Sequence, residues 1–188
     1  ISVLKLNPVP PSVIILGGGP LAVAIAFILA SKKCQVSLVF PQTHLLPNED
    51  TGLRQEIQRR LEANGVQIFS DSQPVQTRVI QEEKVSVALE NQGQRKELEA
   101  DKLVLSTGVT PNSKPLQLEP GRVYANAAGE IVTNEDSRAS RAGVWAMGPV
   151  TGTDHSLSLE PYQADQIAHN MVAPFFDKKK MEPDEPFL

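Results

Sequence analysis

Hydrophobic positions in this chain cluster into short unbroken runs separated by mixed stretches. Val13-Ile14-Ile15-Leu16 is apolar throughout, as a parallel strand buried on both faces requires. Val36 to Phe40 and Val66 to Phe69 read as further strands. Between the first two, Ala22 to Ala30 is apolar on nearly every face, which predicts a helix sandwiched against a sheet. Pro20 suits its first turn, where a missing N–H is no loss. Lys32 and Lys33 close it at the negative end of the helix dipole. Pro41 to Asn48 reads as a loop, and a second helix is predicted to begin near Asp50 or Thr51. Leu53, Ile57 and Leu61 recur there at i, i+4 and i+8, and Glu56 can pair with Arg60. Asn64-Gly65 stops it, because glycine accepts the left-handed cap conformation.

The pattern then changes. Thr77–Gln81, Lys84–Leu89 and Arg95–Glu99 read as three short strands joined by tight polar turns, an antiparallel meander in the place of a crossover helix. Leu103 to Ser106 is another buried strand, ending at Thr107-Gly108. Ser113 to Gly129 is loop-rich, and Glu130 to Thr133 is expected as a short strand. Val144 to Met147 is expected as a further strand ending at Gly148-Pro149. Pro161 to Val172 reads as a helix with Ile167 and Met171 on one face. Residues 1–12, with Pro8, Pro10 and Pro11, read as an extended lead-in, and the tail from Pro174 has little periodicity. The fold class is therefore α/β. It is a Rossmann-type parallel sheet with an antiparallel three-strand meander, because β-α-β-α-β is one half of a doubly wound fold.

Composition narrows the function classes. With 40% hydrophobic and 21% charged residues, the chain fits a soluble globular protein. No apolar run reaches the roughly 20 residues that span a bilayer, and no membrane segment is expected. The net charge of −4 and the lack of a large basic block argue against a nucleic-acid partner. One cysteine, Cys34, excludes a disulfide framework and any two-cysteine redox centre within the chain. It is expected to be a small packed residue rather than a reactive thiol. His44, His155 and His169 show no metal-ligand spacing, so no metal site is expected. The composition points to the cytoplasm.

The candidate chemistry lies at Gly17-Gly18-Gly19-Pro20-Leu21-Ala22, between the first strand and the first helix. A pyrophosphate carries two negative charges, and a helix N-terminus offers unpaired N–H groups with a partial positive charge. The backbone must approach closely, so side chains there must be small. Gly17 permits the tight turn, Gly19 leaves room for the pyrophosphate, and Ala22 lets the helix pack near the strand. In an NAD site the second strand ends in an acid that binds the ribose hydroxyls. Phe40 holds that place here, followed by Pro41 and Gln42, and no nearby Arg or Lys is set to hold the 2′-phosphate of NADP. The Phe40 ring is expected in the core. Stacking on the adenine of some other ligand is the alternative.

The stretch VIILGGGPLAVAIAFILASKKCQVSLVF resembles the start of the NAD(P)H domain in the pyridine nucleotide-disulfide oxidoreductases, the flavoenzyme family of lipoamide dehydrogenase, glutathione reductase and mercuric reductase. LLPNED, at Leu45 to Asp50, is similar to the family's segment after the second strand. DKLVLSTGVTPN, at Asp101 to Asn112, is similar to its strand ending in Ala-Thr-Gly, with Ser106 in the alanine place. AGVWAMGPVTG, at Ala142 to Gly152, resembles its second flavin motif, which normally ends in Gly-Asp. The resemblance covers about Pro11 to Val172. It implies an NAD(P)H-binding domain over 12–120, a returning segment of an FAD-binding domain over 121–173, and a tail or the start of a further domain over 174–188. It also implies that the N-terminal FAD half and the dimerisation domain lie outside this chain, with a homodimer as the implied assembly. The chain is expected to be a fragment of a longer protein, or to associate with another chain.

The resemblance implies NAD or NADP as the cofactor of this portion, with FAD bound only by the full-length protein. Gly17, Gly18, Gly19, Pro20, Leu21, Ala22, Phe40, Thr107, Gly108 and Gly148 are the implied cofactor-binding residues, and no residue is assigned a catalytic role. Three positions depart from the family pattern. Phe40 replaces the ribose-binding acid, Ala24 stands where many members have a glutamate close to the nicotinamide, and Pro149 replaces the aspartate that binds the flavin ribityl chain. The expected function is to present a nicotinamide to a flavin held largely elsewhere. The alternative is a degenerate, non-catalytic module used for protein association or regulation.

Overall fold

The computed structural model describes residues 7–80, 84–152 and 160–172. In chain order the elements are β1 (Ser12–Leu16), α1 (Pro20–Ser31), β2 (Gln35–Val39), α2 (Thr51–Ala63), β3 (Gln67–Phe69), β4 (Gln73–Val79), β5 (Val85–Asn91), β6 (Gln94–Ala100), β7 (Lys102–Leu105) and α3 (Glu160–Val172). The chain divides into two units, Ile1–Gly108 and Val109–Leu188.

In the first unit four parallel strands lie in the order β3-β2-β1-β7. β1 is central, and its apolar run serves both faces because successive side chains of a strand point to opposite sides. On one face Val13, Ile15, Val36 and Leu38 pack with Ala22, Ile25, Ala26 and Leu29 of α1 and Leu61 of α2. On the other face Ile14, Leu16 and Val39 pack with Val87, Leu89 and Ala100. These last three belong to the antiparallel sheet β4-β5-β6. The meander expected from the sequence therefore covers the face that a crossover helix would otherwise cover.

Local chemistry fixes the element ends. Asp50 caps α2, its Oδ1 accepting from the N–H groups of Gly52 at 2.7 Å and Leu53 at 3.3 Å. Glu56 pairs with Arg60 at 2.7 Å and also with Arg59 at 2.9 Å. Hydrogen bonds from Arg59 and Arg60 lower its carboxyl pKa to about 2. Gly65, at φ 82, follows the helix as the left-handed stop. Ser12 at the start of β1 is tied to Asp101 before β7. The Ser12 N–H and hydroxyl donate to Asp101 Oδ2 at 2.9 and 2.5 Å, and Asp101 N–H donates back to the Ser12 hydroxyl at 3.0 Å. The Ser12 hydroxyl bond holds the Asp101 carboxyl below the usual aspartate range. Cys34 is buried behind α1, and burial raises its thiol pKa.

β4 begins at Gln73, earlier than expected, with an irregularity between Pro74 and Gln76 that an edge strand tolerates. Gln81 and the residues before Asn7 and after Val172 lie outside the described residues.

The second unit is short of regular structure among its described residues. The strands expected at Glu130 to Thr133 and Val144 to Met147 do not form. Only isolated bridges occur there, Ala125 with Ile131, Thr133 with Ala139, and Arg138 with Trp145. The backbone donors go to one tight turn and one short antiparallel pairing. Val144 N–H donates to the Arg141 carbonyl, and Ala146 N–H to that of Ser137, whose own φ is 59. Helix α3 forms as expected, but its buried face differs. Gln163, Gln166, Ile167 and Asn170 are buried, whereas Met171 is 54% exposed. No described helix is long and apolar enough to cross a membrane.

Candidate functional site

The turn after β1 lies at the carboxyl end of the parallel sheet, and its three glycines have distinct surroundings. Gly17 has φ 131, and a Cβ there would lie 2.0 Å from the carbonyl oxygen of Ser106. The chain at that point is clamped between two strand ends. Gly17 N–H donates to the Val39 carbonyl at 2.8 Å, and Ser106 N–H donates to the Leu16 carbonyl at 2.8 Å. A Cβ on Gly18 would meet the Phe40 ring at 2.8 Å. A Cβ on Gly19 would meet nothing within 4 Å. The space in front of Gly19 is open.

Gly19 is also the N-cap of α1. It has no side chain to satisfy the first-turn N–H groups, Pro20 has no N–H of its own, and no acid lies in the first turn. Helix α2 is the contrast, because its own Asp50 caps it. The positive end of α1 thus faces open space with its amides uncapped by side chains, an arrangement that favours an anion. Ala22 is fully buried against the sheet, which is why a small residue is needed there. Pro20 and Leu21 are exposed.

Phe40 ends β2 as expected, and its ring is buried in the core beside α1. It fills the position of a ribose-binding acid and offers no polar group there. Thr107 and Gly108 follow β7 and are exposed, next to the Ser106 carbonyl that crowds Gly17. Ala24 lies on the exposed side of α1, which also carries Leu21 and Ile28, each 49% exposed. The structure thus gathers Gly17 to Ala22, Phe40, Thr107 and Gly108 at one end of one sheet.

Gly148 belongs to the second unit. It is buried at the start of a 3-10 turn, Gly148–Thr151, and its N–H donates to Gln163 Oε1 of α3 at 3.0 Å. Pro149 supplies neither a carboxylate nor an N–H. The residues present at this motif do not fit the polar contacts expected toward a flavin.

The fold brings one acid to the carboxyl edge that the linear reading passed over. Asp71 follows β3, in strand register beside the end of β2. Its N–H donates to the Gln42 carbonyl at 3.1 Å, and the Thr43 hydroxyl donates to its Oδ1 at 3.0 Å. Ser72 N–H donates to the Phe40 carbonyl at 3.1 Å. A search confined to the end of the second strand misses it, because the signal is a pairing of two loops.

A parallel sheet with a glycine-lined helix N-terminus at its carboxyl end, backed by a three-strand meander, defines a Rossmann-type α/β domain. The family model described as "Pyridine nucleotide-disulphide oxidoreductase" matches residues 2–173, and the chain belongs to this family. Members of the family use FAD and NAD(P)H. The chain is 27% identical over 172 residues to mercuric reductase from Staphylococcus aureus, covering 91% of this chain and 31% of that one. It is 29% identical over 182 residues to trypanothione reductase from Trypanosoma congolense, covering 95% and 36%. A solved structure of the HOCl-induced flavoprotein disulfide reductase RclA from Escherichia coli has the same fold. Its TM-score is 0.83 at 22% identity, covering 95% of this chain and 39% of that one. The chain spans about a third of the length of these curated relatives.

Proposed function

We propose that this chain is the NAD(P)H-binding portion of an FAD-dependent oxidoreductase, presenting a nicotinamide to a flavin held largely by parts of the protein outside this sequence. The observation that carries the reading is the open, uncapped N-terminus of α1 in front of Gly19. Gly17 to Ala22 would hold the pyrophosphate, with Thr107 and Gly108 at the neighbouring strand end. The bound nicotinamide would supply hydride chemistry, and this chain's residues would supply binding and orientation. The sequence limits 12–120 and 121–173 remain our assignment for the nucleotide and flavin portions.

Isothermal titration of NADH and NADPH into the whole protein tests this reading. Binding in the low micromolar range, lost on replacing Gly19 with valine, is the expected result. A whole protein that purifies colourless, and neither binds flavin nor oxidises NAD(P)H, overturns it.

One observation favours a second reading, a module kept for protein association. Leu21 and Ile28 leave an apolar strip on the outer side of α1, where Ala24 provides no charge. Under that reading the Gly19 substitution changes no measured affinity for either nucleotide.

A further inference from the structure

We infer that Asp71 is the residue that reads the adenosine ribose in this chain and sets a preference for NADH over NADPH. The inference rests on the nucleotide-binding reading above and deepens it.

The Phe40 ring is 1% exposed and lies against Gly18, so the end of β2 offers no side-chain acceptor to a ribose. A ribose bound at the carboxyl edge of this sheet still carries two hydroxyl donors that need acceptors. The neighbouring strand end supplies one. β3 pairs with β2 up to Val39 and Phe69, and the two chains stay bonded beyond the strands through Phe40 N–H to the Phe69 carbonyl at 3.1 Å. Asp71 lies two residues beyond Phe69.

Its carboxylate is exposed yet held in a defined place. The backbone at Asp71 takes φ 49, in the left-handed region that aspartate tolerates better than most residues. The Gln42 carbonyl accepts its N–H, and the Thr43 hydroxyl takes Oδ1. Thr43 thus anchors Oδ1 of an exposed carboxylate at the carboxyl end of the sheet. A carboxylate there accepts hydrogen bonds from ribose hydroxyls. It repels a 2′-phosphate, which meets it as a like charge. Pro41, Gln42, Thr43, His44, Pro47 and Asn48 are the exposed residues of the facing loop, and none is a lysine or arginine that would offset that repulsion.

The test is isothermal titration of NADH and NADPH into the whole protein as wild type, Asp71→Asn and Thr43→Val. Wild type is expected to bind NADH more tightly than NADPH. Asp71→Asn is expected to weaken NADH about tenfold, as for the loss of a charged hydrogen bond, and to leave NADPH unchanged or tighter. Thr43→Val, which keeps the charge but releases Oδ1, is expected to weaken NADH by a smaller factor. It also serves as the test should Asp71→Asn not fold. Equal NADH affinity in wild type and a folded Asp71→Asn, or a wild-type preference for NADPH, overturns the assignment of Asp71 while nucleotide binding stands. A wild type that binds neither nucleotide overturns the nucleotide reading itself, and this inference with it.

Discussion

A methyl group added at each of three consecutive glycines has three different consequences. At Gly17 it would press on the Ser106 carbonyl at 2.0 Å in a backbone conformation that side chains rarely adopt. Gly17→Ala is therefore expected to lose about 3 kcal/mol or more of stability, measured by urea unfolding. At Gly18 it would press at 2.8 Å on the Phe40 ring, which is packed in the core and must shift to admit it. At Gly19, with φ −82 and open space ahead, Gly19→Ala is expected to change stability by no more than about 1 kcal/mol while lowering nucleotide affinity. Unfolding and titration on the same two variants separate the structural glycine from the proposed binding glycine. Phe40→Ala should lose about 3–5 kcal/mol, since the ring is fully packed. The glycine turn was legible in the sequence because its spacing between strand and helix encodes a backbone path. Asp71 was not, because nothing local distinguishes it from any other polar loop residue.

Among elements, legibility followed self-sufficiency. The run from β1 to β3 announced itself through apolar strands, the Asp50 cap and the Asn64-Gly65 stop, all local signals. Val144 to Met147 has a strand's composition, but its pairing with Ser137 to Ala139 is only a single bridge long, and a turn at Arg141 takes the Val144 donor. In α3 apolar type misled in the same way. Ile167 is buried as periodicity predicts, but it shares its face with the buried amides of Gln163, Gln166 and Asn170, and Met171 is exposed. Asp50→Ala should destabilise the first unit by about 1 kcal/mol through loss of the α2 cap, visible as a lower urea midpoint. The tie between Ser12 and Asp101 should depend on pH. Because the folded Asp101 pKa is lowered, the stabilisation is present above the ordinary aspartate value and fades as pH falls toward the lowered one. Ser12→Ala should thus lower the urea midpoint at about pH 7 and have less effect at about pH 3.

For the whole molecule, the first unit has its own two-sided core, and each of its buried clusters draws only on residues before Gly108. A fragment of residues 1–108 is expected to unfold cooperatively in urea. A broad, non-cooperative transition followed by circular dichroism would contradict this. The order of motifs made the family legible, since several separate segments matched in sequence. The nucleotide, the flavin and the assembly were not legible to the same degree. Those depend on surfaces such as the outer side of α1, which local sequence signals do not describe.

The central strand gains its two neighbours at very different times. β2 follows β1 closely, but the tie between Ser12 and Asp101 joins residues 89 positions apart. On a ribosome the first strand and its apolar helix emerge long before β7 exists. Until Ser106 arrives, one side of β1 is an open hydrogen-bonding edge and the Gly17 bend has nothing to close against. The nascent chain therefore passes through a stage prone to sticking to other chains. The glycine turn is completed only once the last strand of the sheet has been made.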